Sequence, residues 1–239
     1  MRHKGYIEDI PIDFGDKNEL LELISGWIGK TEKSRQIVTL NALMLISALK
    51  DGDLNHVIRK ADLVTVDGRG VLLALQKKGY ANVAQLTGVE VTKSLLTYCM
   101  DAKFPVYFYG GVPKVSIMLS RILSQSWPGL TISAIRDGYG SKLTPYGVME
   151  EIIQKKPALV IAGIGSPAQE IFLAEVLRYM EGTVGIGVGG ALDVISGFKR
   201  ETPSLLRENA LEWLYRMFQD PAKFKKFPHL VKFWYKFLR

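Results

Sequence analysis

The sequence is poor in the residues that build disulfide frameworks and metal centres. It has one cysteine, Cys99, which excludes an intramolecular disulfide and favours a reducing compartment. The three histidines are scattered, and no cysteine and histidine spacing resembles a zinc-ligand cluster. No run of about 18 apolar residues occurs, so we expect no membrane-spanning helix. The charged first residues also lack the apolar core of a secretory signal.

Basic charge is unevenly spread along the 239 residues. The segment from Lys199 to the C-terminus has ten basic and four acidic residues, so it carries +6 of the net charge of +7. A protein that binds nucleic acid across its whole fold would spread this charge more widely. The basic character therefore belongs to the C-terminal segment.

Short apolar runs alternate with amphipathic helical patterns over residues 1–197. The strand-like runs are residues 35–40, 62–66, 104–111, 130–135, 157–165 and 182–190. This alternation is typical of βαβ units, and it predicts an α/β domain with a mostly parallel sheet and helices on both faces. Residues 198–239 have no strand pattern, and prolines interrupt their helical pattern. We therefore expect them to form a separate helical appendage.

Ligands bind at the carboxyl ends of the strands in parallel sheets, so the residues at these ends are the candidates for a functional site. The candidates are Thr39, Asn41, Asp67, Gly110, Gly111, Tyr139, Gly165, Gln169, Gly189, Gly190 and Asp193. Asp67 has two interpretations, because it could cap the helix that follows or face the crevice as a general base. Asn41 is similarly either a helix cap or a ligand contact, and Thr39 could simply face a neighbouring element.

Two glycine-containing motifs suggest other chemistry. Residues 185–190, GIGVGG, match the dinucleotide-binding pattern, but they lie late in the chain and no strand-end acid follows about 20 residues on. Asp51-Gly52-Asp53 imitates a metal-binding D-x-D. Its position after an apolar helix instead predicts Gly52 as a C-cap and Asp53 as the next N-cap. In the same way, Ser166 is predicted to cap a helix that begins at Pro167.

The C-terminal segment has three possible interpretations. Lysines interleaved with aromatic residues suit a nucleic-acid binder. They also suit a helix that lies on an anionic membrane surface, which the proline breaks and the FWYKFL cluster favour. A docked helix with a solvated basic face is the third interpretation. Its apolar surface could also drive self-association into a homo-oligomer.

Six sequence blocks occur together in order: TLNALM, ADLVTVDGRGV, LTGVEV, GIGSPAQE, GVGGALDVISGFKR and LEWLYRMFQDP. With this order and spacing the sequence resembles the bacterial WecG/TagA/CpsF glycosyltransferase family. The resemblance implies an inverting transfer of sugar from a UDP-sugar to a polyprenyl-diphosphate-linked acceptor, with no metal or other cofactor. It implies a Rossmann-like domain whose appendage sits on the inner face of the membrane and completes the active site. The implied pathway is cell-surface polysaccharide or teichoic acid synthesis.

The resemblance also implies roles for particular residues. Asp67 matches the base that takes the proton from the acceptor hydroxyl, Thr39 lies beside it, and Gln169 matches a polar residue near the donor sugar or acceptor. The remaining strand-end residues are assigned to the UDP-binding side: Asn41, Gly110, Gly111, Tyr139, Gly165, Gly189, Gly190 and Asp193.

Cations of the pocket follow the family pattern only in part. Arg216 matches an arginine expected to meet diphosphate, and Lys223 and Lys226 stand where close relatives have arginine. Lysine keeps the charge but loses the bidentate fork. Gln85 and Ala168 replace an arginine and a lysine that are common in the family. The sequence therefore does not identify the donor sugar, although fewer cations argue against an acidic one. Other hypotheses are a nicotinamide-dependent oxidoreductase that uses GIGVGG and a non-enzymatic nucleotide- or nucleic-acid-binding module.

Overall fold

Eight strands form two sheets in the computed structural model, which describes residues 2–30, 32–140, 143–203, 206, 212–219 and 227–239. The strands are β1 His3–Ile7, β2 Ile10–Phe14, β3 Arg35–Leu40, β4 Leu63–Val66, β5 Val106–Gly110, β6 Ile132–Arg136, β7 Leu159–Gly163 and β8 Val184–Gly187. Strands β3 to β8 make one parallel sheet in the order β4-β3-β8-β7-β5-β6. This arrangement confirms the predicted α/β class, and each of these six strands lies inside its predicted run or within one residue of it.

Helices surround the parallel sheet on both faces. They are α1 Lys17–Trp27, α2 Ala42–Ala48, α3 Gly52–Lys60, α4 Arg69–Lys77, α5 Gly88–Asp101, α6 Pro113–Ser126, α7 Pro145–Lys155, α8 Ala168–Val176, α9 Ala191–Ile195, α10 Glu212–Gln219 and α11 Phe227–Phe237. One face of the sheet packs against α1, α5, α6 and α9. The other face packs against α2, α3 and α4 on one half and against α7 and α8 on the other half.

The N-terminal hairpin of β1 and β2 was not predicted, because its charged residues obscure the strand pattern. The hairpin covers the edge of the sheet next to β4. Asp13 of β2 is buried, and its carboxylate accepts a hydrogen bond of 2.9 Å from the backbone N–H of Val64. Arg2 Nε donates to the same carboxylate at 2.8 Å. The hairpin thus provides a hydrogen-bond acceptor for one backbone N–H group of the edge strand β4, which would otherwise be open to pairing.

Two helix starts differ from their predictions by one or two residues. Asp51, rather than Asp53, caps α3, and its carboxylate accepts hydrogen bonds from the N–H groups of Asp53 and Leu54. Gly52 is the first residue of α3 and not a C-cap, since α2 ends earlier at Ala48. Helix α8 begins at Ala168 with Pro167 at the cap position, so Ser166 is not the cap.

The connections of β3 and β8 diverge at the middle of the sheet. Strand β3 continues into α2 on one face, whereas its neighbour β8 continues into α9 on the opposite face. Neighbouring parallel strands whose connections leave in opposite directions open a crevice between their carboxyl ends. The topology therefore locates the ligand crevice between residues 41 and 189.

The last helix, α11, packs on the α/β part of the chain. Leu230, Phe233 and Phe237 are buried, and the two phenylalanines join the core formed by α2 and α4. Lys236 pairs with Glu8 of the hairpin at 3.2 Å. The described residues after 197 contain no strand, as predicted. The domain boundary at residue 197 stays a prediction. None of the described helices combines the length and apolar character that crossing a membrane requires.

Candidate active site

Three candidate residues follow three neighbouring strands. Asp67 follows β4, Asn41 follows β3 and Gly189 lies just beyond β8, so strand spacing places their backbones within about 10 Å of one another. Gly165 follows β7, one strand further along. Gly110 at the end of β5 is four strands from β4, which corresponds to about 19 Å. The crevice therefore gathers most of the predicted site, but not all of it.

Asp67 occupies an open turn at the edge of this crevice. Its backbone N–H donates to the Leu40 carbonyl at 2.8 Å, which continues the pairing of β3 with β4 by one residue. Gly68, with φ of 90°, holds the N-cap position of α4, so the interpretation of Asp67 as the cap is wrong. A Cβ at Gly68 would find no atom within 4 Å. A partly buried carboxylate beside open space suits a general base.

Thr39 lies in the floor of the crevice. It is buried, and its hydroxyl donates to the Gly187 carbonyl at 2.8 Å. This hydrogen bond ties β3 to β8 where their paths diverge. The hydroxyl proton is therefore used inside the protein, and the predicted contact of Thr39 with substrate stays a prediction.

Gln169 connects the loops that follow β7 and β8. Its side chain is 1% exposed. The amide oxygen accepts hydrogen bonds from the backbone N–H groups of Gly165 at 3.2 Å and Gly189 at 3.0 Å. The amide nitrogen donates to Glu170 Oε1 at 2.6 Å. The geometry makes Gln169 a clamp between two strand ends, and its predicted contact with sugar stays a prediction.

The predicted glycines divide into two groups. A Cβ at Gly189 would meet nothing within 4 Å, and at Gly190 or Gly165 it would meet one atom at 3.8–3.9 Å. These three positions adjoin open space. In contrast, a Cβ at Gly110 would lie 2.5 Å from the backbone of β7, and one at Gly111 would lie 2.5 Å from a valine of α6. Close packing inside the protein accounts for the second group.

The dinucleotide-like motif divides in the same way. A Cβ at Gly185 would lie 2.8 Å from Leu177, and one at Gly187 would lie 2.8 Å from the amide of Gln169. These glycines let α8 approach β8 closely. Of the three glycines in the pattern, Gly190 alone borders open space. The motif therefore reflects helix packing as much as ligand approach.

Asn41 and Asp193 stand on opposite sides of the crevice. Asn41 caps α2, because its side-chain oxygen accepts from the N–H of Met44 at 3.0 Å. Its cap interpretation is confirmed, and its contact with uridine stays a prediction. The Asp193 carboxylate of α9 is 17% exposed and pairs with Lys199 at 2.9 Å. Both side chains are thus oriented before any ligand binds.

Tyr139 approaches the rim from the loop after β6. Its side chain is exposed, and its hydroxyl donates to the carbonyl of Ile164 at 2.9 Å. Its predicted role toward UDP is untested. The contact nevertheless brings the ring beside Gly165, which is one of the glycines that border open space.

Glu170 is a buried acid that sequence reasoning missed. Its side chain is 0% exposed, one oxygen accepts from Gln169, and the other has no hydrogen-bond partner. Burial raises the pKa of this carboxyl, although the Gln169 amide and the nearby Ser166 hydroxyl act in the opposite direction. The position follows Gln169 in a helical pattern, so the sequence alone gives no sign that the acid is internal.

Arg69, the first residue of α4, is a cation that sequence reasoning also missed. Its Nε is shielded from solvent and has no hydrogen-bond partner. The first turn of α4 lacks both an acid and a side-chain cap, whereas α5 has the capping box of Thr87 and Glu90. A cation at a helix N-terminus opposes the helix dipole. Arg69 therefore places an unfavourable positive charge in the first turn of α4, two residues after Asp67, and this conflict was the available sequence signal.

The positions that depart from the family pattern lie at the same rim. The N–H of Leu86 donates to the Val66 carbonyl at 2.9 Å, which places Gln85 beside the end of β4. Ala168 opens α8 next to Gln169. Arg69 is thus the cation closest to Asp67 in sequence, whereas residue 85 is an uncharged glutamine.

The predicted appendage cations are described only in part. Arg216 belongs to α10, which is anchored where the Gln219 side chain exchanges two hydrogen bonds with the backbone of Arg200. This contact holds α10 near the segment that follows α9. Lys223 and Lys226 lie outside the described residues.

A separate groove lies at the amino ends of the strands, on the side of the sheet opposite to the crevice. It has a volume of about 680 Å³, and Lys33, Gln36 and Asp62 line it at the amino ends of β3 and β4. Ligands of parallel sheets bind at the carboxyl ends, so this groove is not the candidate active site.

Comparisons with known proteins match nearly the whole chain. A model described as the Glycosyl transferase WecG/TagA/CpsF family matches residues 6–239. One similar protein is N-acetylglucosaminyldiphosphoundecaprenol N-acetyl-beta-D-mannosaminyltransferase from Bacillus spizizenii. It is 28% identical over 201 residues, which cover 84% of this chain and 77% of the relative. The family match includes every candidate residue of the crevice, from Thr39 to Asp193.

Proposed function

The chain belongs to the WecG/TagA/CpsF glycosyltransferase family, and from this premise we propose that it transfers a sugar, with inversion, from a UDP-sugar to a polyprenyl-diphosphate-linked saccharide. The observation that carries the proposal is the position of Asp67, at an open turn beside the crevice between β3 and β8. A single displacement needs one base on the acceptor side. Asp67 is the carboxylate placed for that role.

The proposed reaction is a direct displacement at the anomeric carbon. Asp67 takes the proton from the acceptor hydroxyl while the hydroxyl oxygen forms a bond to the anomeric carbon. The bond from that carbon to the UDP oxygen breaks on the opposite face, and UDP leaves with the electron pair. The configuration at the anomeric carbon is therefore inverted.

The donor fits best at the strand ends that border open space. The positions of Gly189 and Gly190 allow a diphosphate to approach the backbone closely. Asn41 and Asp193 flank this space and suit contacts with uridine. Arg69 supplies positive charge on the side of Asp67, and Arg216, Lys223 and Lys226 remain the proposed cations of the C-terminal segment. No step of this displacement requires a metal ion.

The last helix supports attachment to a membrane surface. Its buried side chains face the core, while Phe227, Val231 and Trp234 form a second apolar stripe that is 41–51% exposed. We define these three residues as the outer stripe. Lysines flank the stripe, as in helices that lie on anionic membranes. We propose that the outer stripe holds the protein on the cytoplasmic membrane face, where a lipid-linked acceptor is available for cell-surface polysaccharide or teichoic acid synthesis.

A screen of UDP-sugars tests the proposed transfer. The acceptor is a short polyprenyl-diphosphate N-acetylglucosamine analogue, and UDP-N-acetylmannosamine is the first donor because the relative's name contains this sugar and acceptor. Mass spectrometry detects the product, and NMR reports its anomeric configuration. Titration with NADH is the control for a dinucleotide site. Absence of product with every UDP-sugar, or a retained configuration, would contradict the proposal.

A further inference from the structure

The buried pair of Gln169 and Glu170 connects the two strand ends that border the proposed donor space. We propose that Glu170 is a positioning residue, which orients the amide of Gln169 so that its oxygen holds the loops after β7 and β8 together. This inference rests on the proposed function, because it assigns these loops to the donor. Glu170 itself touches no substrate in this proposal.

Hydrogen bonding gives the Gln169 amide one orientation. Its oxygen accepts from two backbone N–H groups, those of Gly165 and Gly189, at 3.2 and 3.0 Å. A reversed amide would point N–H groups at these donors and lose both bonds. Glu170 Oε1 selects the observed orientation, since it accepts from the amide nitrogen at 2.6 Å.

The surroundings of Glu170 show that its acceptor role is costly to maintain. The carboxyl is fully buried, and its second oxygen and the nearby Ser166 hydroxyl both lack a hydrogen-bond partner that meets normal geometry. Burying a polar group without partners is unfavourable, and an apolar residue would pack there without this penalty. Burial also raises the pKa of Glu170, which favours the neutral form. A neutral carboxyl still has a carbonyl oxygen that accepts from Gln169.

Gly187 connects this pair with the floor of the crevice. Its missing Cβ leaves the space that the Gln169 amide and the Glu170 carboxyl fill from one side. Its carbonyl accepts the hydroxyl of Thr39 from the neighbouring strand at 2.8 Å. Glu170 therefore sits behind two residues, Thr39 and Gln169, for which the family resemblance implies a role in the active site.

Two substitutions separate the acceptor from the volume of the side chain. Glu170→Gln keeps an oxygen that can accept from Gln169, whereas Glu170→Leu keeps similar bulk without an acceptor. Glu175→Leu is the matched control, because Glu175 lies on the same helix, is partly exposed and pairs with Arg178. The full chain is assayed for kcat, donor KM and acceptor KM. The UDP-binding stoichiometry corrects for the folded fraction.

The donor side should respond to the loss of the acceptor. We expect Glu170→Leu to reduce kcat/KM for the donor by about tenfold or more, the scale of an unpaired buried donor, with acceptor KM within about twofold. Glu170→Gln and Glu175→Leu should stay within about threefold of the wild type. An unchanged donor kcat/KM in Glu170→Leu, or an equal loss of donor kcat/KM in Glu170→Gln, would overturn the inference.

Hydrogen exchange tests the clamp independently of turnover. Amide exchange at Gly165 and Gly189 should accelerate about tenfold in Glu170→Leu and stay within about threefold in Glu170→Gln, since the lost acceptor frees the Gln169 amide to turn. Unchanged exchange in Glu170→Leu would overturn the clamp. If wild-type protein neither bound UDP nor formed product, the proposed function and the donor role would both fail, while the exchange result would still decide the clamp.

Discussion

Aspartate and asparagine have nearly the same size, so Asp67→Asn removes the proposed base without emptying the turn. We expect kcat to fall by roughly 10²–10⁴-fold, the usual contribution of general base catalysis. UDP affinity should stay within about threefold, because Asp67 is proposed to contact the acceptor and not the nucleotide. Calorimetric titration with UDP and a turnover assay measure the two quantities.

The matched control for this prediction is Asp53→Asn. Asp53 lies in the first turn of α3 and lines the separate groove, which is at the end of the strands opposite to the proposed active site. Its replacement should leave turnover within about twofold. If Asp67→Asn kept most of the wild-type turnover, another group would have to be the base.

The buried Glu170 carboxyl should make stability depend on pH. Burial raises the pKa of this carboxyl in the folded protein above its ordinary value of 4.5, which represents the unfolded chain. The folded protein thus binds this proton more tightly, and the resulting stability is present below the unfolded pKa and lost as pH rises through the folded pKa. Glu170→Gln removes this proton equilibrium.

Urea unfolding at pH 5 and pH 8 measures this effect. The difference in free energy of unfolding, Glu170→Gln minus wild type, should be more positive at pH 8 than at pH 5. Glu175→Gln on the same helix should show no comparable change, since Glu175 is partly exposed. A difference for Glu170→Gln that did not vary with pH would mean that the buried carboxyl does not titrate differently after folding.

At the scale of elements, β8 depends on glycine to bring α8 close. A Cβ at Gly187 would lie 2.8 Å from the Gln169 amide and 3.0 Å from Glu170 Oε1. We expect Gly187→Ala to lower the free energy of unfolding by about 1–3 kcal/mol, because the helix must move away from the strand. Urea unfolding monitored by circular dichroism gives this value.

Gly190→Ala provides the comparison at the same strand end. The new Cβ would lie 3.9 Å from the Asp193 carboxylate, and the φ of −78° at this position suits alanine. Stability should therefore change by less than about 0.5 kcal/mol. The methyl group would nevertheless enter the space proposed for the diphosphate, and the donor KM should rise. Equal stability losses in both variants would contradict the division of these glycines into packing and open positions.

Predictability differs between elements for physical reasons. Strand β3 was predicted at residues 35–40 and is observed there, because a buried parallel strand is an apolar run with clear breaks. The hairpin was missed, since its strands mix charged and apolar residues and gain their partner only by docking on β4. Local patterns identify elements that are apolar by themselves, but not those that depend on a distant edge.

The candidate site shows the same limit. Asp67 could be placed at a strand end from sequence, and the alternation of helices and strands implied that such ends share one rim. The clamp of Gln169 on Gly189 joins α8 to the loop after β8 across twenty residues of sequence, and no local pattern contains it. Likewise, the burial of Glu170 follows from how closely α8 packs on β8.

At the scale of the whole molecule, both ends of the chain meet near the proposed base. A Cβ at Gly70 would lie 3.1 Å from Ala42 and 3.2 Å from the Phe233 ring, so the first turns of α2 and α4 converge on α11. The N-terminal hairpin joins them through Glu8 and Lys236. A membrane that contacts the outer stripe would therefore lie about one helix diameter, roughly 10 Å, from the turns that carry Asn41 and Asp67.

Substitutions on the two faces of α11 should affect membrane binding and stability separately. Trp234→Glu and Val231→Glu place charge on the outer stripe, and each should reduce several-fold the fraction of protein that sediments with vesicles rich in anionic lipid. Their melting temperatures should stay within a few degrees of the wild type, because both side chains are exposed. Phe233→Ala should instead lower the free energy of unfolding by about 3–5 kcal/mol, since that ring is fully buried.

Ile117→Glu on α6 is the matched control, because Ile117 is an exposed apolar residue, 73% accessible, outside the last helix. It should sediment like the wild type. Vesicle binding should weaken as salt is raised, since lysines that flank the outer stripe contribute through screened charge. If Trp234→Glu and Val231→Glu sedimented as completely as Ile117→Glu, the outer stripe would not be the membrane contact. The lipid-linked acceptor would then have to reach Asp67 without help from α11.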